Sequence, residues 1–212
     1  MPQASDLLTF GSMTWDLLEE RFGLRELPVQ GLLLDAQPVA PSDVLQTTLR
    51  RARRARLVND RARGYRLIGP VLLELEELRS ISVLPEVQMT APDVGLCGTP
   101  DFLLSGSTTH KLIPLASIVV AKREDIDAGM PQCVAELYAA YLRHGHRPSR
   151  LYGCVTTGEL WRFVCLLGET RGACQDNERY LVVETDKLLG AFCHIIDTTM
   201  AALGLLASSD LS

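Results

Sequence analysis

The stretch that decides the fold lies between residues 99 and 136, and its three pieces read TPDFLLS (99–105), IVVAKRED (118–125) and GMPQCVAE (129–136). The first two pieces are typical of strands. The continuous apolar run at 118–121 indicates a central strand that is covered on both faces. The third piece opens a segment, 129–143, whose apolar residues recur at helical spacing. The order strand, strand, helix predicts an α/β fold.

The flanking sequence predicts further helices and strands around this stretch. Helices are expected at 13–22, from Ser42 onward, at 70–78 and at 186–206. Strands are expected at 32–34, 81–84, 87–89, 99–105, 112–122, 151–156 and 160–167, with an edge strand at 180–184. Together these elements predict a mixed central β-sheet flanked by helices.

The bulk composition is that of a globular protein. Apolar residues make up 47% of the chain and charged residues 22%. The apolar runs are far too short to span a bilayer, and the N-terminus has no basic signal region. The six cysteines form no CxxC pair, which favours reduced, buried thiols over zinc ligands. We expect a soluble, cytoplasmic protein without a membrane partner; the sequence does not predict an oligomeric state.

Arginine is concentrated in one segment of an acidic chain. The net charge is −5, yet eight of the eighteen arginines fall between residues 50 and 66, and only three lysines are present. One interpretation is a basic helix that contacts the phosphates of nucleic acid. The other is a solvated helix face that pairs with acidic groups. The nucleic-acid interpretation rests on five residues: Arg50, Arg51, Arg53, Arg54 and Arg56.

Four stretches, in this order, resemble one family pattern. They read IGPVLLEL (68–75), GLCGTPDFLL (95–104), IVVAKRED (118–125) with GMPQCVAE (129–136), and YGCVTTGELWRF (152–163). The first three are similar to the acid helix, the Pro-Asp strand, the (D/E)XK strand and the Gln-bearing helix of the PD-(D/E)XK nuclease superfamily. The fourth is similar to a hairpin found in a bacterial branch of that superfamily.

The resemblance implies a domain organisation and an activity. It implies a single domain over residues 1–212, with a restriction-endonuclease-like core at 55–206 and a helical and extended N-terminal elaboration at 1–54. The activity would be phosphodiester hydrolysis assisted by Mg²⁺ or Mn²⁺ bound to carboxylates. The implied metal ligands are Asp101 and Glu74, the implied catalytic lysine is Lys122, and Gln132 would orient substrate.

One position departs from the family pattern. Val120 stands where the family places Glu or Asp, two residues before Lys122 and therefore on the same face of the strand. Valine cannot bind a metal ion, which leaves two readings open. In the first, Glu136 replaces the missing acid, because it lies four residues after Gln132 on the same helix face. In the second, the fold is an inactive accessory or scaffold without a cofactor, and it binds a protein partner or nucleic acid.

Each candidate residue also has a simpler explanation. Asp101 follows a proline and is compatible with an ordinary turn acid. Lys122 is compatible with a strand-end lysine that reaches solvent. Gln132 and Glu136 are compatible with exposed polar positions on a helix, and Glu74 is one of three acids in one helix. The resemblance therefore predicts a nuclease-like protein that binds or acts on nucleic acid.

Overall fold

The structure is a computed structural model of the chain that describes residues 7–54, 62, 64–106, 115–122 and 125–205. The helices in these ranges are α1 (Trp15–Phe22), α2 (Asp43–Arg54), α3 (Gly69–Arg79), α4 (Gly129–Arg143) and α5 (Thr185–Ala202). The strands are β1 (Leu8–Thr9), β2 (Arg25–Gln30), β3 (Ser82–Pro85), β4 (Met89–Ala91), β5 (Leu96–Gly98), β6 (Phe102–Ser105), β7 (Leu115–Ala121), β8 (Arg150–Thr156), β9 (Leu160–Leu167), β10 (Gly172–Asp176) and β11 (Tyr180–Leu181).

The large sheet has the strand order β2-β10-β9-β8-β7-β6-β3, and β11 pairs with the beginning of β9. The neighbours β3, β6 and β7 are antiparallel, whereas β7 and β8 run parallel and are connected through helix α4. A parallel pair needs such a crossover, because its second strand must start again at the same end of the sheet. The predicted mixed sheet flanked by helices is confirmed.

Two apolar cores cover the two faces of this sheet. The alternation of side chains along β7 sends Ile118 and Val120 into one core and Val119 into the other. Helices α1 and α4 and the small sheet β1-β5-β4 pack into the first core. Helices α2, α3 and α5 pack into the second. Strand β7 is therefore covered on both faces, as its continuous apolar run predicted.

Local signals account for several helix starts. Thr14 Oγ1 accepts a hydrogen bond from the N–H of Leu17 at 3.2 Å and caps α1. Ser42 Oγ accepts from the N–H of Leu45 at 3.1 Å at the start of α2. Pro70 lies in the first turn of α3, where its missing N–H leaves no helical bond unmade.

The N-terminal strand prediction was wrong in position. Residues 32–34 form no strand, and Leu34 is 77% exposed. The strand lies earlier, at β2, which is mostly exposed, contains Pro28 and pairs parallel to β10 at the sheet edge. Proline is tolerated there because an edge strand has one row of unpaired N–H groups. Strand β10 was not predicted.

Two further observations concern composition. None of the helices in the described ranges is long and apolar enough to cross a membrane. The six cysteines are free thiols, and all but Cys97 are buried.

Gly153 on β8 gives a direct test of how α4 packs on the sheet. A Cβ atom at this position would lie 2.4 Å from Cys133 Sγ and 3.1 Å from Leu137 Cδ1. We expect Gly153→Ala to lower the free energy of unfolding by about 1–3 kcal/mol, because the added methyl group overpacks the core between α4 and β8. Denaturant titration measures this loss.

The background Cys133→Ala is the matched control, because it removes the sulfur that the new methyl group would meet. In that background Gly153→Ala should cost less than in the wild type. Strictly additive effects of the two substitutions would contradict the described packing of α4 on β8.

Candidate active site

Asp101 is fixed at the end of the central strand pair. It directly precedes β6, and its Oδ2 accepts a hydrogen bond from the N–H of Ala121 at 2.7 Å. Because β6 and β7 are antiparallel, with Phe102 opposite Val119, this bond places the carboxylate beside the last residue of β7. Asp101 is half-buried. The Pro-Asp element thus lies next to the predicted lysine.

Lys122 continues β7 past its last paired residue. Its N–H donates to the carbonyl of Thr156 at 2.8 Å, which holds its backbone against the end of β8. Its aliphatic stem crosses Gly129, where a Cβ atom would lie 2.9 Å from Lys122 Cγ and 3.1 Å from Cε. The same Cβ atom would lie 2.6 Å from Val155 Cγ1, so glycine leaves the space in which the lysine stem passes the start of α4.

Gln132 links the lysine to an acid on the same helix. Lys122 Nζ donates to Gln132 Oε1 at 2.6 Å, and Gln132 Nε2 donates to Glu136 Oε1 at 2.9 Å. Glutamine suits this position because its amide accepts through oxygen and donates through nitrogen. The two helix residues are four apart and lie on one face, as their spacing predicted.

Glu136 is a fully buried acid. Its side chain is 0% exposed, and within the described part of the chain its Oε2 has no hydrogen-bond partner. Burial raises the pKa of this carboxyl group to about 8. The hydrogen bond from Gln132 lowers the pKa, the charge of Asp101 raises it, and the charge of Lys122 lowers it. At neutral pH the group is therefore mostly protonated. The expectation of an exposed helix residue is wrong for Glu136.

Val120 lies beneath this cluster. It is fully buried in the core between β7 and α4, together with Met130, Cys133 and Val134. An acid here would be surrounded by apolar groups. The acid that the structure places near Asp101 and Lys122 comes instead from the helix.

Glu74 is not brought to this cluster. Its two oxygens accept hydrogen bonds from the N–H and Oγ of Ser42, at 2.7 and 2.8 Å. The buried side of its helix, α3, belongs to the core on the opposite face of the sheet. In the described ranges no group of three or more His, Cys, Asp or Glu side chains is placed to hold a metal ion. The prediction that Glu74 is a metal ligand is therefore wrong. Its carboxylate instead holds Ser42 at the start of α2.

The predicted arginines lie on the last turns of α2. Arg50, Arg51, Arg53 and Arg54 are exposed, while Leu45, Leu49 and Ala52 form the buried face. Arg53 Nη2 donates to the carbonyl of Val182 at 3.1 Å. Arg56 lies outside the described residues.

Comparison of the chain with models of protein families, with curated proteins and with solved structures gives no match.

Gly129 is the site residue that the sequence interpretation missed. A glycine at the start of a helix, just after a strand and a short loop, can signal a close approach to another group. In the sequence it was treated only as the first residue of a predicted helix. Cys133 lies three residues before Glu136 on α4. Burial raises the pKa of its thiol, and so does the charge of Glu136.

The buried carboxyl predicts a pH-dependent stability. The folded protein keeps the Glu136 proton up to about pH 8, whereas the unfolded chain releases it near the ordinary value of 4.5. Between these limits the folded state binds more protons, so its stability falls as pH rises, by up to about 1.4 kcal/mol per pH unit. Glu136→Gln removes this loss. We expect its advantage over the wild type to grow with pH.

Denaturant titrations of both proteins across this pH window, in the presence of a chelator, measure the difference. Glu77→Gln is the control, because it removes an exposed acid from α3. Its difference from the wild type should change little over the same range. If the curves of wild type and Glu136→Gln run parallel, the buried acid does not carry the raised pKa.

Proposed function

We propose that this chain is a PD-(D/E)XK nuclease-like protein that acts on nucleic acid, with its second metal-binding acid on helix α4 instead of strand β7. The observation that carries this proposal is the buried Glu136 near Asp101 and Lys122, whose Oε2 has no hydrogen-bond partner among the described residues. A carboxyl group that is desolvated and placed near a second acid and a lysine is a common feature of active sites.

The order of the elements supports the proposal. Helix α3, the antiparallel strands β3, β6 and β7, helix α4 and the parallel strand β8 follow one another along the chain. Asp101 precedes β6, Lys122 follows β7, and Gln132 lies in α4. These are the positions that the resemblance predicts for its Pro-Asp strand, lysine strand and Gln-bearing helix.

The two carboxylates of Asp101 and Glu136 are the type of ligand that a magnesium or manganese ion needs. Mg²⁺ is commonly held by one or two carboxylates together with waters and substrate phosphates, so it does not need three protein acids. Asp101 and Glu136 supply two hard oxygen donors, of which Glu136 Oε2 has no hydrogen-bond partner in the described chain. A metal ion held by these two carboxylates would stabilise negative charge on the phosphate and lower the pKa of a bound water.

Lys122 would stabilise negative charge at the phosphate, and Gln132 would position the lysine. The ammonium group of Lys122 has donors beyond the one bonded to Gln132, and these can stabilise negative charge on a phosphate oxygen. Gln132 keeps Lys122 and Glu136 in a fixed relation through its two hydrogen bonds. Gly129 leaves the space in which the lysine stem lies.

An inactive accessory protein is the second candidate, and one observation favours it. Lys122, Gln132 and Glu136 are joined by two hydrogen bonds in series, and Glu136 has no exposed surface. In this second candidate the network has a structural role alone: it fixes α4 on β7. In that case the fold would present its outer surface to a protein partner and need no metal.

A nuclease assay with matched variants tests the proposal. Linear duplex and single-stranded DNA, with RNA as a third substrate, are incubated with Mg²⁺ or Mn²⁺. We expect cleavage by the wild type and a loss of about 100-fold or more in Asp101→Asn, Lys122→Met and Glu136→Gln, because each removes charge stabilisation or metal binding. Glu77→Gln, which changes an exposed acid on α3, should cleave like the wild type.

Calorimetric titration with Mn²⁺ provides a readout that does not depend on activity. The wild type should bind the ion, and Asp101→Asn and Glu136→Gln should weaken binding while Glu77→Gln does not. Absence of both Mn²⁺ binding and cleavage in the wild type would leave the accessory protein as the function. Cleavage that survives Asp101→Asn and Lys122→Met would place the activity elsewhere.

A further inference from the structure

A groove of about 520 Å³ runs between helix α2 and the start of helix α5. On one wall lie Gln46, Arg50 and Arg53 of α2, and on the other lie Thr185 and Asp186 at the first turn of α5. The groove is separate from the cluster of Asp101, Lys122 and Glu136, and it belongs to the opposite face of the sheet.

Helical spacing divides the exposed arginines of α2 into two rows. Arg50 and Arg53 are three residues apart, and Gln46 lies one turn earlier, so these three side chains share the groove wall. Arg51 and Arg54 form a second row on the other flank, and neither lines the groove. The chain thus provides two cations inside a concave surface and two matched cations outside it.

The guanidinium groups in the groove are available to an anion. Neither Arg50 nor Arg53 forms an ion pair in the described part of the chain. Arg53 uses one N–H donor for the hydrogen bond to the carbonyl of Val182. Asp186 is the acid of the groove, so two positive charges face one negative charge there. The N-terminus of α5 adds partial positive charge on the same wall.

The groove lies near the same strand ends as the acid and lysine cluster. Arg53 is bonded to Val182, whose N–H donates to the carbonyl of Glu159 at 2.9 Å. Glu159 belongs to the turn between β8 and β9, and the end of β8 is bonded to Lys122 through Thr156. Since neighbouring strands are about 4.8 Å apart, the groove and Lys122 are separated by roughly 15–20 Å across this turn.

We propose that the groove is a phosphate-binding subsite for the same nucleic-acid strand that reaches the cluster at Lys122. The inference rests on the proposed function, because it assigns the substrate's path and not the chemistry. Arginine suits the task, since its planar fork donates two hydrogen bonds to one phosphate. The strand crosses the β8–β9 turn, with two adjacent phosphates held by Arg50 and Arg53, one by each arginine, and a further phosphate near Lys122.

The test compares the two arginine rows. Binding of fluorescent single-stranded and duplex oligonucleotides is followed by anisotropy, without divalent metal, over a series of salt concentrations. The variants are Arg50→Gln/Arg53→Gln for the groove row and Arg51→Gln/Arg54→Gln for the outer row. Each neutralised phosphate contributes about 0.7 to the salt slope for single strands, so the groove variant should lose up to about 1.4 and the outer variant little.

Two single substitutions guard against a folding effect. Arg53→Gln also removes the hydrogen bond to Val182, whereas the side chains of Arg50 and Arg51 make no hydrogen bond in the described part of the chain. Arg50→Gln should therefore lower the slope by about 0.7 and Arg51→Gln should not, with unchanged circular dichroism. Equal slopes for the two rows would overturn the subsite.

The outcomes separate the subsite from the proposed chemistry. Asp101→Asn should bind with the wild-type slope although it does not cleave. If the wild type cleaves and the two arginine rows behave alike, the subsite is wrong and the nuclease proposal stands. If the wild type binds no nucleic acid at any salt concentration, both are overturned.

Discussion

Strand β7 is buried on both faces, and this constraint determines what can stand at each of its positions. Side chains alternate between the two cores, so Val120 must fill the space beneath helix α4 while Val119 fills the opposite core. The polar cluster can start only where the strand leaves the cores, at Lys122. The acid that accompanies this lysine is therefore contributed by the helix that covers the strand.

Burying Glu136 is energetically unfavourable, and the fold offsets this only in part. An unpaired carboxyl oxygen in an apolar interior costs free energy unless the group stays protonated. One oxygen is bonded to Gln132, and the other has no hydrogen-bond partner among the described atoms. A hydrophobic residue of similar size would pack between the same neighbours without this cost. The acid is thus a position where stability and the proposed activity are opposed.

The sequence was informative where its pattern was strong and local. Helix α4 begins and ends at the predicted residues, Gly129 and Arg143, because its apolar positions repeat over four turns. Strand β9 also has its predicted bounds. Strand β2 could not be located, because an exposed edge strand with a proline lacks a hydrophobic alternation, and its partner β10 follows it by more than 140 residues.

The same distinction holds for the site. Asp101, Lys122, Gln132 and Glu136 were named from short motifs, and the structure brings them together. Glu74 could not be separated from the neighbouring acids of its helix, because its partner Ser42 lies 32 residues away in the chain. Whether Glu136 faces solvent or the core also depended on how α4 rotates on the sheet. Such long-range relations are not encoded in any local spacing.

The packing of Val120 against α4 has a consequence for how sequences that adopt this fold can vary. Position 120 and position 136 project into the interface between the same strand and the same helix, so an acid at one makes an acid at the other redundant and electrostatically unfavourable. In an alignment of relatives the two positions should therefore covary: sequences with Glu or Asp at 120 should carry an uncharged residue at 136. An exchange of this kind would keep one carboxyl group at the interface while the element that carries it changes.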